Sequence, residues 1–252
     1  MKQRHVAALL AEALGTFVLV LVVLNVSRYG LPFFTAIAAG LSVAAFTSAF
    51  AHLSGANFNP AFTLGLFSIR RLSFVRTVAY LVAQAVAALG AWKLYEYFTE
   101  RTLKNATTPF DWRIFTAEAV GALVFALGAT VAVVHEKLEG WQAAATVGVS
   151  LFLGITVAGL ASNGIVNPAV ALGVRSFDLN YFLGPVVGFI VGALLVAYVL
   201  YPVFGKKEKV AAAAKVVEAP KASVATKSAP AKKPVAKKAP AKKKPVAKKA
   251  KK

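Results

Sequence analysis

The stretch Ser54-Gly55-Ala56-Asn57-Phe58-Asn59-Pro60-Ala61 decides the fold of this chain, and it has a partner at Ser162-Asn163-Gly164-Ile165-Val166-Asn167-Pro168-Ala169. Both stretches end in Asn-Pro-Ala. Proline is favoured at the first position of a helix, where its missing N–H has no intrahelical partner, and asparagine is among the best capping residues just before it. Each tripeptide therefore predicts the start of a helix. If the cap oxygen accepts from the first turn, the two N–H donors of each asparagine amide point outward, toward a passing solute.

The helix that each Asn-Pro-Ala opens is predicted to be too short to cross a membrane. The apolar run after the first tripeptide ends at Arg70-Arg71, and the run after the second ends at Arg175. A half-helix that starts inside a bilayer places its positive dipole end at depth, which is tolerable only where it lines a polar cavity.

The composition excludes an ordinary soluble domain. The chain has 252 residues, of which 58% are hydrophobic, and a mean hydropathy of +0.65. It has no cysteine, so a disulfide framework and a thiolate metal site are both excluded. The three histidines are scattered, and no nucleophile, phosphate loop or metal-ligand spacing is present, so we expect neither an enzyme nor a cofactor.

Six hydrophobic stretches are close to the ~20 residues that a helix needs to span a bilayer. They lie near residues 6–27, 33–52, 75–97, 112–134, 142–161 and 180–203. The sequence therefore predicts an all-α membrane protein with six transmembrane helices and two re-entrant half-helices, contained in residues 1–205.

The two halves of this domain repeat one another. Ala11-Glu12-Ala13-Leu14-Gly15 is echoed by Ala117-Glu118-Ala119-Val120-Gly121, at a similar distance before each Asn-Pro-Ala. We place the repeats at about 6–97 and 112–203. Because each repeat has three spans, the second must be inserted upside down relative to the first, so the two half-helices are expected to meet near the midplane.

The basic residues predict the orientation. One side carries Lys2, Arg4, Arg70, Arg71, Arg76, Lys137 and the carboxyl-terminal tail, whereas the other carries Arg28, Lys93, Arg101, Lys104, Arg113 and Arg175. This bias favours a multi-pass protein of the cell membrane with both termini in the cytoplasm.

The tail, residues 206–252, has 17 lysines against two glutamates and consists largely of Lys, Ala, Pro and Val. Recurrent proline and like-charge repulsion predict a disordered cationic arm. Such an arm could contact anionic lipids, or nucleic acid without sequence preference, or could be a solvated tail that aids orientation.

The motifs together resemble those of the aquaporin (major intrinsic protein) family over residues 6 to 203. They are the two Asn-Pro-Ala repeats, His52-Leu53-Ser54-Gly55-Ala56, Ala11-Glu12 with Gly15-Thr16, Ala83-Gln84 and Gly184-Pro185. The resemblance implies a six-helix channel, normally a homotetramer with one pore per subunit.

The resemblance also assigns roles to single residues. The pore motifs would be Asn59, Pro60, Ala61, Asn167, Pro168 and Ala169, with the two asparagines as paired donors at the pore centre. Glu12 and Glu118 would accept hydrogen bonds from the half-helix loops; a proton relay is the rival interpretation. His52 would lie on the cytoplasmic side, where it satisfies loop backbone or acts as a pH gate.

One departure from the family pattern concerns selectivity. The family typically has arginine directly after the second Asn-Pro-Ala, whereas this chain has Val170. The other constriction positions become Ala39, Ile155 and Gly164, so the predicted selectivity filter is small-sided and apolar. Arg175 lies a full turn or more beyond Val170, and no spacing argument lets it replace the missing charge.

These features predict a passive channel for water and small uncharged solutes, with glycerol the first candidate. Membrane lipids are its expected surroundings. Two alternatives stay open at this point: a gated or silent pore, because apolar constrictions can dewet and close, and a non-conducting membrane anchor whose working part is the cationic tail.

Overall fold

A computed structural model describes residues 2–135 and 138–202, and the regular structure in these ranges is helical. The helices are α1 (Lys2–Ser27), α2 (Pro32–Ser54), α3 (Pro60–Ser68), α4 (Phe74–Thr99), α5 (Trp112–Val134), α6 (Gly140–Ala158), α7 (Pro168–Gly173) and α8 (Leu179–Leu194), which continues as a π-helical turn over Leu195–Leu200. The predicted tail, 206–252, lies outside the described residues.

The six long helices confirm the prediction of an all-α membrane protein. Within the described ranges, six helices are long and apolar enough to cross a membrane. The fifth of them, α6, ends at Ala158, three residues before the predicted boundary. The chain turns there, because the N–H of Leu160 donates to Val157 O and that of Ser162 to Ala158 O. Apolar composition alone cannot mark that turn.

The two half-helices, α3 and α7, start and end in the same way. Asn59 caps α3 by accepting from the N–H of Ala61, and Asn167 caps α7 by accepting from that of Ala169. Each ends where an arginine takes the left-handed conformation, Arg70 with φ 61° and Arg175 with φ 65°. The next N–H then donates five residues back, which satisfies a terminal carbonyl, as in the Schellman motif.

The long helices approach one another at glycines. Gly40 on α2 faces Gly148 on α6, and Gly121 on α5 faces Gly154, also on α6. A Cβ added to Gly154 would lie 2.6 Å from the carbonyl oxygen of Gly121. Because lipid provides no hydrophobic drive for helices to associate, such close backbone packing is a main source of their attraction.

An aromatic cluster fixes α3 against two of the long helices. Phe62 on α3 stacks on Phe189 of α8 with ring centroids 4.9 Å apart, and both contact Phe125 of α5 edge-on. All three side chains are buried. The first half-helix is therefore held by packing as well as by its cap.

Replacing Gly154 with alanine should destabilise the protein by about 1–3 kcal/mol, because the added methyl group overpacks the α5–α6 crossing. Gly140→Ala is the matched control, since a Cβ at that position meets nothing within 4 Å. We expect the midpoint of thermal unfolding in detergent, followed by circular dichroism, to fall only for Gly154→Ala. Equal midpoints for the two variants would contradict this account of the crossing.

Candidate functional site

The two Asn-Pro-Ala loops are hydrogen-bonded to each other. Asn59 donates from Nδ2 to the carbonyl oxygen of Val166 at 3.0 Å, and Asn167 donates from Nδ2 to that of Phe58, also at 3.0 Å. The two half-helix starts therefore meet inside the molecule. Each amide keeps one N–H beyond this bond, so the expectation that both donors point outward is corrected to one for each asparagine.

Both loops hold their backbone in an uncommon conformation. Ala56 and Phe58 have φ of 55° and 53°, and Gly164 and Val166 have φ of 62° and 51° at the equivalent places of the second loop. Positive φ is a genuine outlier for a β-branched residue such as Val166 and costs on the order of 1–3 kcal/mol. Something else in the structure must hold these loops.

A buried glutamate contacts each strained loop. Glu12 on α1 accepts from the backbone N–H of Asn57 at 2.9 Å and of Phe58 at 2.8 Å. It accepts a third hydrogen bond, of 2.9 Å, from Nε2 of Gln84 on α4. The side chain is fully buried, and it forms no ion pair within the described part of the chain.

Glu118 on α5 makes the corresponding contacts in the second repeat. It accepts from the backbone N–H of Ile165 at 2.9 Å and of Val166 at 2.6 Å, and from the Ser162 hydroxyl at 2.7 Å. It too is fully buried. Both carboxylates thus bond the N–H of the residue with positive φ that directly precedes Asn-Pro-Ala.

Two tyrosines that the sequence did not single out also support the loops. The Tyr80 hydroxyl donates to Ser54 O at 2.8 Å, and the Tyr181 hydroxyl accepts from the N–H of Asn163 at 3.3 Å. A signal for them exists in the sequence. Tyr80 lies four residues before Gln84, and Tyr181 lies four residues before Pro185, so the spacing repeats between the two halves.

The predicted filter positions lie together around one cavity, which we call the apolar cavity. It encloses about 530 Å³, and Ala39, Ile155, Gly164 and Val170 all line it. Asn167 lines it as well, whereas no ionisable side chain of the described residues does. The cavity next to the second Asn-Pro-Ala is therefore wide, and the side chains that line it are uncharged.

A second cavity, which we call the basic cavity, lies beside the first loop. It encloses about 260 Å³, and its wall includes Ser54, Gly55 and Asn57. His52 also lines it, and its side chain makes no hydrogen bond to the described residues. The expectation that His52 satisfies loop backbone is therefore not met, because Tyr80 and the Ser54 hydroxyl bond the loop instead.

The two cavities occupy equivalent places in the two repeats. Counted from the two asparagines, six positions of the basic cavity correspond to positions of the apolar cavity: Ala51 with Gly159, His52 with Leu160, Ser54 with Ser162, Gly55 with Asn163, Asn57 with Ile165, and Leu66 with Val174. The basic cavity lies at the start of α1 and the end of α2, whereas the apolar cavity lies at the end of α1 and the start of α2, so the two cavities lie toward opposite ends of these helices. Asn59 lines neither of them.

Arg175 lies away from the apolar cavity. Its guanidinium stacks on the ring of Trp92, 4.4 Å from the centroid, and its carbonyl oxygen accepts from the N–H of Ala106. Lys93 also lies over Trp92, at 3.9 Å. Arg175 therefore fixes the end of α7 against α4 and does not supply a charge beside Val170.

A comparison with known proteins finds relatives over most of the chain. The family model described as "Major intrinsic protein" matches residues 1–196. Aquaporin NIP3-1 of Zea mays is 30% identical over 204 residues, which are 73% of this chain and 67% of that protein. Aquaporin AqpM of Methanothermobacter thermautotrophicus is 30% identical over 183 residues, or 64% of this chain and 74% of that protein.

A solved structure has the same fold. The aquaglyceroporin from Plasmodium falciparum superposes with a TM-score of 0.66 at 22% identity, over 79% of this chain and 98% of that chain. Since the family model covers both half-helices and all but the last turns of the sixth spanning helix, this chain belongs to the major intrinsic protein family.

Proposed function

We propose that this protein is a passive channel that conducts water and small uncharged solutes, with glycerol as the first candidate. One observation carries this proposal: the four filter positions surround an uncharged cavity of about 530 Å³ that reaches Asn167. Members of the family are membrane channels and not enzymes, and the relatives are named as aquaporins and an aquaglyceroporin.

The proposed path runs from the apolar cavity, past the two asparagines, to the basic cavity. At its centre, α3 and α7 begin and their positive dipole ends point toward each other. The remaining N–H of Asn59 and of Asn167 would orient the oxygen of a passing water or hydroxyl group. The same positive ends oppose the passage of cations, including hydronium.

Selection by size is proposed to be weak. Ala39 and Gly164 contribute almost no bulk to the apolar cavity, and Val170 stands where the family typically has arginine. Channels of this kind are selective through half-helix dipoles, lining donors and an arginine that narrows the mouth. The first two are present here, but Val170 takes the place of the arginine. A solute larger than water should therefore pass.

Glu12 and Glu118 are proposed to hold the loops and not to relay protons. Each carboxylate already accepts three hydrogen bonds, from two backbone N–H groups and one side chain. A relay would need a chain of ionisable partners, and none contacts either acid among the described residues.

The protein is proposed to lie in the cell membrane with both termini in the cytoplasm and to form a homotetramer, as the resemblance implies. The alternative function, a non-conducting anchor that binds lipid or nucleic acid through its tail, depends on residues 206–252. Those residues are outside the described part of the chain, and no contact within that part favours the anchor.

Reconstituted vesicles should shrink faster than empty vesicles under an osmotic gradient and should take up glycerol. Ala39→Phe should slow glycerol uptake because the ring enters the apolar cavity. Leu41→Phe is the control, because the side chain of Leu41 on the same helix is 65% exposed, and it should leave glycerol uptake unchanged. Stopped-flow light scattering measures both rates; osmotic permeability at the level of empty vesicles would end the proposal.

Val170→Arg should slow glycerol more than water, since it restores a long charged side chain to the wall of the wide cavity. Every 1.4 kcal/mol added to a barrier lowers a rate about tenfold, and we expect a loss of at least that size for glycerol. Val170→Met adds side-chain length without charge, so it separates the effect of size from the effect of charge. An equal loss of water and glycerol permeability would show that Val170 is not at the filter.

Glu118→Gln should lower the stability of the protein by about 1–3 kcal/mol, because an amide leaves one of the buried loop donors without an acceptor. Glu100→Gln makes the same chemical change at an exposed residue and serves as the control. Thermal unfolding in detergent and water permeability are measured on the same preparations. A proton relay predicts the opposite pattern, with unchanged stability and a loss of proton flux only.

A further inference from the structure

The basic cavity collects basic side chains from four parts of the fold. Its wall includes Arg4 and His5 from α1, His52 from α2, Arg71 from the turn after α3, and Arg76 from α4. No aspartate or glutamate lines it among the described residues, and none of the five basic side chains forms an ion pair there. The cavity is therefore strongly positive and lacks a counter-ion from these residues.

The fold itself does not require this charge. In the described part of the chain, the equivalent cavity of the other repeat has no ionisable side chain in its wall, although six lining positions of the two cavities correspond. The preference of one membrane side for basic loops explains arginines on this face of the protein. It does not explain why Arg71 lines the cavity while its neighbour Arg70 does not.

Guanidinium groups match the geometry of phosphate oxygens. Arginine presents a planar set of donors that binds phosphate bidentately through charge-assisted hydrogen bonds. Three unpaired guanidinium groups around a cavity of about 260 Å³ can bind one phosphate group from several directions. The inner wall, at Ser54 and Asn57, adds polar surface close to the first Asn-Pro-Ala.

We propose that the basic cavity is a binding site for a phosphate group and that the bound anion obstructs the pore at this end. The obstruction rests on the proposed channel function, because the cavity is the equivalent in the first repeat of the wide cavity that we assign to the pore. The phosphate can belong to a soluble anion or to the headgroup of an anionic lipid, since both reach this face of the membrane.

The binding is tested by calorimetric titration of pyrophosphate into the full-length protein in discs of phosphatidylcholine. We expect saturable binding that weakens as salt is raised, and at least about a tenfold loss of affinity in Arg71→Gln/Arg76→Gln, since hydrogen bonds to charged groups are each worth that much or more. Arg113→Gln, an exposed arginine at the start of α5, is the matched control and should bind as the wild type does.

If Arg71→Gln/Arg76→Gln unfolds, the same titration is carried out on Arg4→Gln, which removes an arginine of the same cavity from a different helix. Absence of binding by the wild type would overturn the proposal. An equal loss of pyrophosphate affinity in Arg113→Gln would overturn the proposal too, because the anion would then be responding to the total positive charge of the protein and not to this cavity.

The obstruction is tested by water permeability of vesicles loaded with pyrophosphate on both sides. Permeability should fall in the wild type and persist in Arg71→Gln/Arg76→Gln. If phosphatidic acid in the bilayer lowers permeability without pyrophosphate, and the double variant resists it, the phosphate comes from lipid; if only pyrophosphate acts, it is soluble.

The two proposals fail in different ways. Binding with unchanged permeability would overturn the obstruction. Vesicles that are impermeable without any phosphate would refute the channel function, while the calorimetric titration would still decide whether the site exists.

Discussion

The hydrogen bonds from two buried carboxylates to loop N–H groups are the interactions on which the rest of the site depends. Glu12 and Glu118 each bond two consecutive N–H groups that directly precede Asn-Pro-Ala. The second of these N–H groups belongs to a residue with positive φ, Phe58 or Val166. Burying a carboxylate is costly unless donors surround it, so the acid and the strained loop stabilise each other.

This mutual support places the asparagines. Because Phe58 and Val166 adopt positive φ, their carbonyl oxygens are positioned to accept from the asparagine of the opposite loop. Each asparagine oxygen meanwhile caps its own half-helix. Each asparagine amide therefore uses its oxygen within its own loop and one N–H across to the other loop. The positive ends of α3 and α7 are thereby held toward each other at the centre of the fold.

The repeat gives the fold two corresponding cavities with different chemistry. Equivalent positions line both cavities, yet one end is wide and uncharged and the other is smaller and basic. Where the family typically carries its arginine, this chain carries Val170, and three of its arginines, Arg4, Arg71 and Arg76, line the other cavity. Among the described residues, the basic side chains that line the two cavities are therefore concentrated beside the first loop.

The sequence predicted the features that depend on local chemistry. Asn-Pro at a helix start and an apolar stretch of spanning length each act within a few residues, so the two half-helices and six spans were found with small boundary errors. The four filter positions came from the family resemblance, and the structure brings them to one cavity. Their role as a filter is still a prediction.

Only the tertiary structure decided what lies beyond the reach of such local signals. The bonds that join the two loops link residues 107 and 109 positions apart, and Tyr80 and Tyr181 reach the loops from helices that follow them in the chain. The convergence of Arg4, Arg71 and Arg76 on one cavity is of the same kind. These contacts depend on how closely helix backbones cross, which is set by pairs such as Gly121 and Gly154 acting together, and a linear sequence does not show which small residues face each other.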